Sequence, residues 1–216
     1  MPRLTRGTSA GRKAIDYHPA QYCGYCLSQR LCREDAMSDL IERKLHHVFD
    51  VLDIEGSGAL TADSILNAAE RYTRFRGVTP GSDRAERLYE SIREYWSAMA
   101  GLDTDGDGKV SRQEFTTGLV AVASDPGMYE KSIETTADTF FDLADMDGNG
   151  RLDRDEYVDL YSVGVGIGRS DTIRAFARMD VHAKGYLTRE EWRGAVAEFY
   201  QSTDPDAPGN WLWGPY

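Results

Sequence analysis

Apolar residues recur every three or four positions along much of the chain, and four polar, glycine-containing stretches interrupt them. Such spacing places the apolar side chains on one face of a helix. One such face precedes the first interruption and another the second: Ile41, Leu45, Val48, Phe49 and Leu52, then Leu88, Ile92, Tyr95, Trp96 and Met99. The pattern predicts a helix-loop-helix unit four times over, and therefore an all-α fold.

The second interruption, GLDTDGDGKVSRQEF at residues 101–115, places Asp103, Asp105 and Asp107 at alternate positions and Gly108 directly after them. A helix would scatter these carboxylates, and a strand would align them as repelling charges. Ca²⁺ instead takes six to eight oxygen ligands in flexible geometry, which a tight twelve-residue loop can supply. The order of residues therefore predicts an EF-hand loop over residues 103–114.

Two of the four loops have a complete set of oxygen ligands. The second loop offers Asp103, Asp105, Asp107, the Lys109 carbonyl, Ser111 through water and Glu114. The third loop, DMDGNGRLDRDE, offers Asp145, Asp147, Asn149, the Arg151 carbonyl, Asp153 and Glu156. Repulsion among the carboxylates of each loop is relieved when a cation binds. We predict two Ca²⁺ sites, with Mg²⁺ as a competitor.

The first and fourth loops each lack ligands that the other two have. The first, DIEGSGALTADS, ends in Ser64, which gives one hydroxyl where a bidentate carboxylate is needed. Weak Ca²⁺ or Mg²⁺ binding and a purely structural role both remain open for it. The fourth, DVHAKGYLTREE, has His182 and Lys184 at two ligand positions, and an ammonium group has no acceptor. We expect Lys184 to repel a cation, and this loop to brace the third.

Each loop has an apolar residue at its eighth position, where EF-hands form the short strand that pairs two loops: Leu60, Val110, Leu152 and Leu187. Four loops suit two pairs. We therefore expect one EF-hand pair over residues 37–124 and another over 125–200, packed into one compact globule with a short β-bridge inside each pair.

The chain resembles the sarcoplasmic calcium-binding protein family, and especially its bacterial, calerythrin-like members. The resemblance rests on KLHHVFDVLDIEGSGAL, on the two intact loops and on the uneven spacing of four loops, and it covers about residues 37–216. It implies two EF-hand pairs packed face to face around an aromatic core, with Ca²⁺ buffering as the activity. Photoproteins and luciferin-binding proteins have similar folds, which leaves a small-ligand cavity as an alternative.

The balance of methionine and aromatic residues bears on the choice between a buffer and a sensor. A sensor exposes a methionine-rich groove on binding Ca²⁺, but this chain has 6 methionines against 12 tyrosines, 7 phenylalanines and 4 tryptophans. In the tail, residues 201–216, three prolines exclude a helix, and Trp211, Leu212 and Trp213 are too apolar for water. We expect this tail to fold back and fill a groove that a target helix could use.

Charge excludes several other function classes. The net charge is −11, and the acidic excess falls after residue 36, which disfavours nucleic acid and anionic membranes as partners. No apolar run approaches the length of a membrane helix, and no nucleophile-base pair stands out. We expect a cytoplasmic, monomeric protein that is not an enzyme, with a Ca²⁺-dependent protein partner as the alternative to buffering.

Residues 1–36 share nothing with the repeats. They contain His18, Cys23, Cys26 and Cys32, whose types suit Zn²⁺ although the spacing is short for a zinc finger, and a redox pair is a further alternative. The simplest interpretation is a disordered extension. Met37 directly precedes Ser38, the expected cap of the first helix, and is a candidate start of translation.

Overall fold

Helices and short strands alternate in the predicted order through residues 39–216, the part of the chain that the computed structural model describes. The predictions for residues 1–36, the candidate start at Met37 and the expected cap at Ser38 lie outside the described residues. In the first pair, helix α1 is described over 39–52, and the later elements are β1 (Ala59–Leu60), α2 (Ala62–Phe75), α3 (Asp83–Ala100), β2 (Val110–Ser111) and α4 (Arg112–Ser124).

The second pair repeats this order, with two π-helical segments inserted. A continuous helical stretch leads into the third loop through α5 (Pro126–Met128), a π-helical segment (Tyr129–Glu134) and α6 (Thr135–Ala144). The elements after it are β3 (Arg151–Asp153), α7 (Arg154–Asp159), a second π-helical segment (Leu160–Val165), α8 (Arg169–Met179), β4 (Tyr186–Thr188) and α9 (Arg189–Gln201). The described chain is thus an all-α fold with two small strand pairs.

The helix that leaves each loop begins with a capping box. In every case the side chain of the ninth loop residue accepts from the backbone N–H of the twelfth, and the side chain of the twelfth accepts from the backbone N–H of the ninth. Two backbone N–H groups thereby gain partners. The residue pairs are Thr61 with Ser64, Ser111 with Glu114, Asp153 with Glu156, and Thr188 with Glu191. Helix initiation and the last ligand position of the loop are therefore one local structure.

The strands join loop one to loop two and loop three to loop four, which confirms the expected β-bridges. Leu60 lies opposite Val110 in one antiparallel pair, and Leu152 lies opposite Leu187 in the other. All four side chains are buried, at 0 to 1% exposure. The eighth residue of each loop therefore packs in the core opposite the eighth residue of its partner loop.

Aromatic and aliphatic side chains next to the loops form the core. The residues one turn before the loops are buried, as are those that open the exit helices: Phe49, Met99, Phe141 and Phe176, then Ile65, Phe115, Tyr157 and Trp192. Edge-to-face contacts connect the two sets, with 5.7 Å between the ring centroids of Phe49 and Phe115 and 6.5 Å between those of Phe141 and Trp192. The core is therefore fixed largely by rigid rings.

One arginine contact is repeated in both pairs. Arg112, the tenth residue of loop two, pairs with Asp50 and lies 4.6 Å from the centroid of the Phe49 ring. The tenth residue of loop four, Arg189, pairs with Asp142 in the same way and lies 4.3 Å from the centroid of the Phe141 ring. In each pair, the even-numbered loop thus reaches the helix that enters the odd-numbered loop.

The tail lies against the helices, and two of its side chains enter the core. Leu212 and Trp213 are 2% and 5% exposed, and the Trp213 ring meets Phe140 and Tyr161 edge to face. The prediction that the prolines of the tail exclude a helix was wrong, because a short 3₁₀ helix spans Pro208–Trp211. Proline at the first helical position loses no hydrogen bond, because that N–H has no partner within a helix.

Close approach of the tail to α9 requires a glycine. A Cβ at Gly209 would lie 2.4 Å from the Ala195 carbonyl oxygen, whereas a Cβ at Gly194 meets nothing within 4 Å. The Gly209 N–H donates to the Glu198 carboxylate at 2.7 Å. The tail is therefore held at this point by direct backbone contact with the helix.

A buried lysine joins the tail to helix α1. Lys44 is 0% exposed, and its ammonium group donates to the Asn210 side-chain oxygen at 3.0 Å and to the Ser202 and Glu198 carbonyl oxygens at 3.0 and 3.3 Å. Burial lowers the pKa of Lys44 to about 8, and the charge of Glu198 opposes this effect. The tail thus contacts both α1 and α9.

Candidate metal centres

Loop two is folded around its first aspartate. The Asp103 carboxylate accepts hydrogen bonds from the N–H groups of Gly106 at 2.7 Å and Gly108 at 2.9 Å. Both glycines have positive φ angles, of 75° and 82°, which a residue without Cβ adopts at little cost. These bonds wrap the backbone around the Asp103 side chain.

The remaining acidic side chains of loop two are oriented by local N–H donors. Asp105 accepts from the Asp107 N–H at 3.1 Å, and Asp107 accepts from the Lys109 N–H at 2.8 Å. Carboxylate oxygens of Asp103, Asp105 and Glu114 lie within 4.8 Å of one another. Of the predicted carboxylate ligands, three are therefore already brought together, while Asp107 lies outside this group.

Loop three repeats this arrangement. Asp145 accepts from the Asn149 and Gly150 N–H groups at 3.0 and 2.9 Å, and carboxylate oxygens of Asp145, Asp147 and Glu156 lie within 4.8 Å of one another. Asp153, predicted to act at the ninth position, accepts from the Glu156 N–H at 2.8 Å. The Asn149 side-chain oxygen, the predicted ligand at the fifth position, accepts from the Arg151 N–H at 2.8 Å.

The last glutamate of each intact loop bridges its two ends. Glu114 accepts from the Thr104 and Ser111 N–H groups at 2.8 and 2.9 Å. Glu156 accepts likewise from Met146 and Asp153 at 2.8 and 3.1 Å. Both carboxylates are thus placed between the start of the loop and the start of the exit helix, where a bidentate ligand is expected.

The two glutamates differ in electrostatic environment. Hydrogen bonds, first from the Ser111 N–H and then from Thr104, lower the pKa of Glu114 to about 2. Burial raises the pKa of Glu156, and the nearby charges of Asp153 and Asp145 act in the same direction. Loop three therefore concentrates negative charge in a less solvated place than loop two.

These buried carboxylates suit a cation. Glu156 and Asp145 are 5% and 9% exposed, and within residues 39–216 neither forms an ion pair with a lysine or arginine. Buried charges are normally paired or coordinate a metal. An all-oxygen donor set of this kind fits a hard divalent ion such as Ca²⁺.

Neither of the other two loops forms such a group of acidic side chains in the described residues. In loop one, the Ser64 hydroxyl donates to the Thr61 carbonyl at 2.8 Å and accepts from the Thr61 N–H at 3.0 Å, so the capping box occupies it. In loop four, the Lys184 ammonium donates to both Glu191 oxygens at 2.7 and 2.5 Å. Sequence reasoning missed this contact, because it considered only the repulsion between Lys184 and a metal ion.

Comparison with known proteins agrees with this geometry. Residues 42–120 match the family model of an EF-hand domain pair, and residues 137–161 match that of an EF hand. The chain therefore contains EF-hand domains over these residues. It binds Ca²⁺, and the two acidic groups in loops two and three are where the described residues could hold ions.

Curated relatives of this EF-hand protein include a photoprotein and plant kinases. Obelin of Obelia geniculata is 27% identical over 169 residues, which cover 75% of this chain and 84% of obelin. Calcium-dependent protein kinase 21 of Arabidopsis thaliana is 29% identical over 111 residues, which are 51% of this chain. The EF-hand protein spans only 20% of that kinase, and no catalytic domain follows from this match.

Solved structures with the same fold include a sarcoplasmic calcium-binding protein. That of amphioxus is 20% identical with a TM-score of 0.60, covering 82% of this chain and 98% of its own. A Streptomyces coelicolor calcium-binding protein is 24% identical with a TM-score of 0.64, covering 76% and 98%. The coelenterazine-binding protein of Renilla muelleri is 17% identical with a TM-score of 0.69, covering 84% and 98%. This EF-hand protein is thus sarcoplasmic calcium-binding protein-like in fold.

Membrane insertion of the helices finds no support in the described residues. Between residues 39 and 216, no helix combines the length and the apolar character that crossing a bilayer requires.

Proposed function

We propose that this EF-hand protein is a Ca²⁺ buffer with two working sites, in loops two and three. The observation that carries the proposal is the pair of acidic groups whose carboxylates, within residues 39–216, form no ion pair with a lysine or arginine. The proposed ligands are those predicted from the sequence: Asp103, Asp105, Asp107, the Lys109 carbonyl, Ser111 and Glu114, then Asp145, Asp147, Asn149, the Arg151 carbonyl, Asp153 and Glu156.

The position of the tail supports a buffer over a sensor. A sensor needs an apolar groove that a partner can enter when Ca²⁺ binds. Here Leu212 and Trp213 of the same chain occupy the space between the helices. A partner helix would have to displace these side chains, which are covalently linked to the site and so compete at high effective concentration.

Contacts to both EF-hand pairs support a tail that stays in place. The Tyr157 hydroxyl donates to the Leu212 carbonyl at 2.9 Å, and the His47 ring donates to the Trp213 carbonyl at 2.8 Å. Tyr157 directly follows the last ligand of loop three, and His47 belongs to α1. The tail therefore connects the exit helix of loop three with α1.

The size of the apolar cavity beside the tail argues against the alternative of a small ligand held in the aromatic core. An apolar cavity of about 80 Å³ lies beside Tyr161, Trp192 and Trp213. Sites for small molecules usually enclose about 300–1,000 Å³. A ligand that fills a site of that size would require side chains around this cavity to move, which opposes a coelenterazine-binding function like the one in the name of the Renilla protein.

Calorimetric titration of the metal-free protein with Ca²⁺ tests the number and position of the sites. We expect two sites in the wild type and one in either Glu114→Gln or Glu156→Gln, because each change removes a bidentate carboxylate. Ser64→Ala is the matched control in loop one and keeps two sites. A single variant that retains both sites would show that its loop is wrongly assigned, and loss of a site in Ser64→Ala would place an ion in loop one.

Dye binding distinguishes the buffer from a sensor. A hydrophobic dye should bind equally to the metal-free and the Ca²⁺-loaded wild type, because the tail fills the groove in both. A Trp213→Ala variant serves as the positive control, since it opens the apolar cavity. A marked rise in dye fluorescence when Ca²⁺ is added to the wild type would support the sensor and contradict the buffer.

A further inference from the structure

Loop four keeps the closed backbone of a Ca²⁺ loop although it lacks the ligands. Its first residue, Asp180, accepts from the Lys184 and Gly185 N–H groups at 2.9 and 2.7 Å, as the first aspartates of loops two and three do with their own loops. Its fourth residue, Ala183, has a φ of 50°, the left-handed region in which the other three loops place glycine. Some interaction must therefore hold this loop in a conformation that its sequence does not favour.

The last glutamate of loop four has a different partner from those of the intact loops. In loops two and three, one oxygen of that glutamate accepts from the N–H of the second loop residue, Thr104 or Met146. In loop four the corresponding N–H, of Val181, donates to the Met179 carbonyl instead. Both Glu191 oxygens accept from the Lys184 ammonium, at 2.7 and 2.5 Å.

The ammonium group of Lys184, the fifth loop residue, thus lies against the carboxylate of Glu191, the twelfth, where ligands of a divalent ion would converge. It is 4.6 Å from the centroid of the Tyr186 ring, which adds a cation-π contact from the seventh position. The hydrogen bond from Lys184 lowers the pKa of Glu191. A single positive charge therefore neutralises the carboxylate that a metal would otherwise neutralise.

We propose that Lys184 is an internal substitute for the ion in loop four and a positioning residue for loop three. Its pairing with Glu191 keeps loop four closed without metal, and β4 then holds β3 through the contact between Leu187 and Leu152. Loop three is thereby partly organised before Ca²⁺ arrives, which reduces the ordering cost of binding. The effect on affinity rests on the proposed function, in which loop three binds Ca²⁺.

Removing the charge of Lys184 distinguishes positioning from simple electrostatics, because the two predict opposite changes in the Ca²⁺ affinity of loop three. Lys184→Met takes away a positive charge near loop three, which by Coulomb's law alone would tighten Ca²⁺ binding there. Positioning instead predicts that binding to loop three weakens, by about fivefold or more, within the usual range of coupling between sites. Lys184→Arg keeps a cationic donor for Glu191 and should restore the affinity. Lys131→Met, which removes an exposed ammonium elsewhere, controls for net charge.

Amide hydrogen exchange in the metal-free protein gives a readout that does not depend on Ca²⁺ binding. We expect faster exchange over Tyr186–Thr188 in Lys184→Met, and rates near the wild type in Lys184→Arg and Lys131→Met. Unchanged exchange in Lys184→Met, or tighter Ca²⁺ binding by it, would overturn the proposal. Absence of Ca²⁺ binding by loop three would appear separately, as identical titrations of the wild type and Glu156→Gln.

Restoring the missing ligands is the converse test. The double variant His182→Asp, Lys184→Asp returns carboxylates to the third and fifth positions of a loop that keeps Asp180, Thr188 and Glu191. We expect three Ca²⁺ sites by calorimetry, and faster exchange over β4 when metal is absent, because the substitute charge is gone. Exchange as slow as in the metal-free wild type would overturn the proposal, since loop four would then close with neither ammonium nor metal.

Discussion

Truncation of Trp213 tests whether the tail is part of the core. The side chain is 5% exposed and meets Tyr161 at 5.4 Å and Phe140 at 6.5 Å between ring centroids. Truncating a buried tryptophan to alanine costs about 3–5 kcal/mol in the free energy of unfolding. Because a cavity of about 80 Å³ already adjoins the ring, some of its contacts are missing, so we expect Trp213→Ala to lose about 3 kcal/mol.

Urea unfolding of the Ca²⁺-loaded protein, followed by circular dichroism, measures this loss, and the slope shows whether both variants expose similar surface. Trp211→Ala is the matched control. Trp211 is only partly buried, and Arg178 lies 5.1 Å from the centroid of its ring, so its truncation should cost about 1 kcal/mol. Equal losses from the two variants, or a loss below about 1 kcal/mol from Trp213→Ala, would refute a core role for the tail.

Three further predictions concern single residues. Burial lowers the pKa of Lys44 from 10.5 to about 8, so between these values only the unfolded chain holds the proton. The free energy of unfolding of the wild type, measured against Lys44→Met, should therefore rise by about 2–3 kcal/mol from pH 7 to pH 10; a flat difference would contradict it. Gly209→Ala should lower the melting temperature through a cost of about 2 kcal/mol, whereas Gly194→Ala, in an open helix position, should stabilise by about 0.5–1 kcal/mol. Ala183→Gly should stabilise by about 1 kcal/mol in urea unfolding, because it relieves a left-handed backbone; destabilisation would contradict this.

Sequence spacing was sufficient for the fold and for the acidic groups. The first, third and twelfth loop positions are close in sequence, so their meeting depends on local turns that Asp and Gly favour. Pairing of the loops also followed from one apolar residue in each, and Leu60 with Val110 and Leu152 with Leu187 confirm it. Periodicity and local turn chemistry carried these predictions.

Contacts that depend on distant or chemically atypical partners could not be predicted. Lys44 and Asn210 are 166 positions apart, and neither carries a local signal for the other. Lys184 was predicted to repel a metal ion. The acceptor of its ammonium group depends on how the loop folds between Lys184 and Glu191, which are seven residues apart. The 3₁₀ turn of the tail was missed because proline was treated as a helix breaker without regard to its position.

The repeated arginine contact makes the EF-hand pair, and not the single hand, the structural unit that repeats in the described residues. Arg112 and Arg189 each reach from the second hand of a pair to the first hand, and the tenth residue of loop three, Arg154, pairs instead with its neighbour Asp155. The contact is thus one-way within a pair and the same in both pairs. Within the described residues the contact therefore repeats with the period of a pair and not with the period of a single hand. A chimaera that exchanges equivalent hands of the two pairs should therefore keep these contacts, while one that puts an even-numbered hand in place of an odd-numbered one should break them.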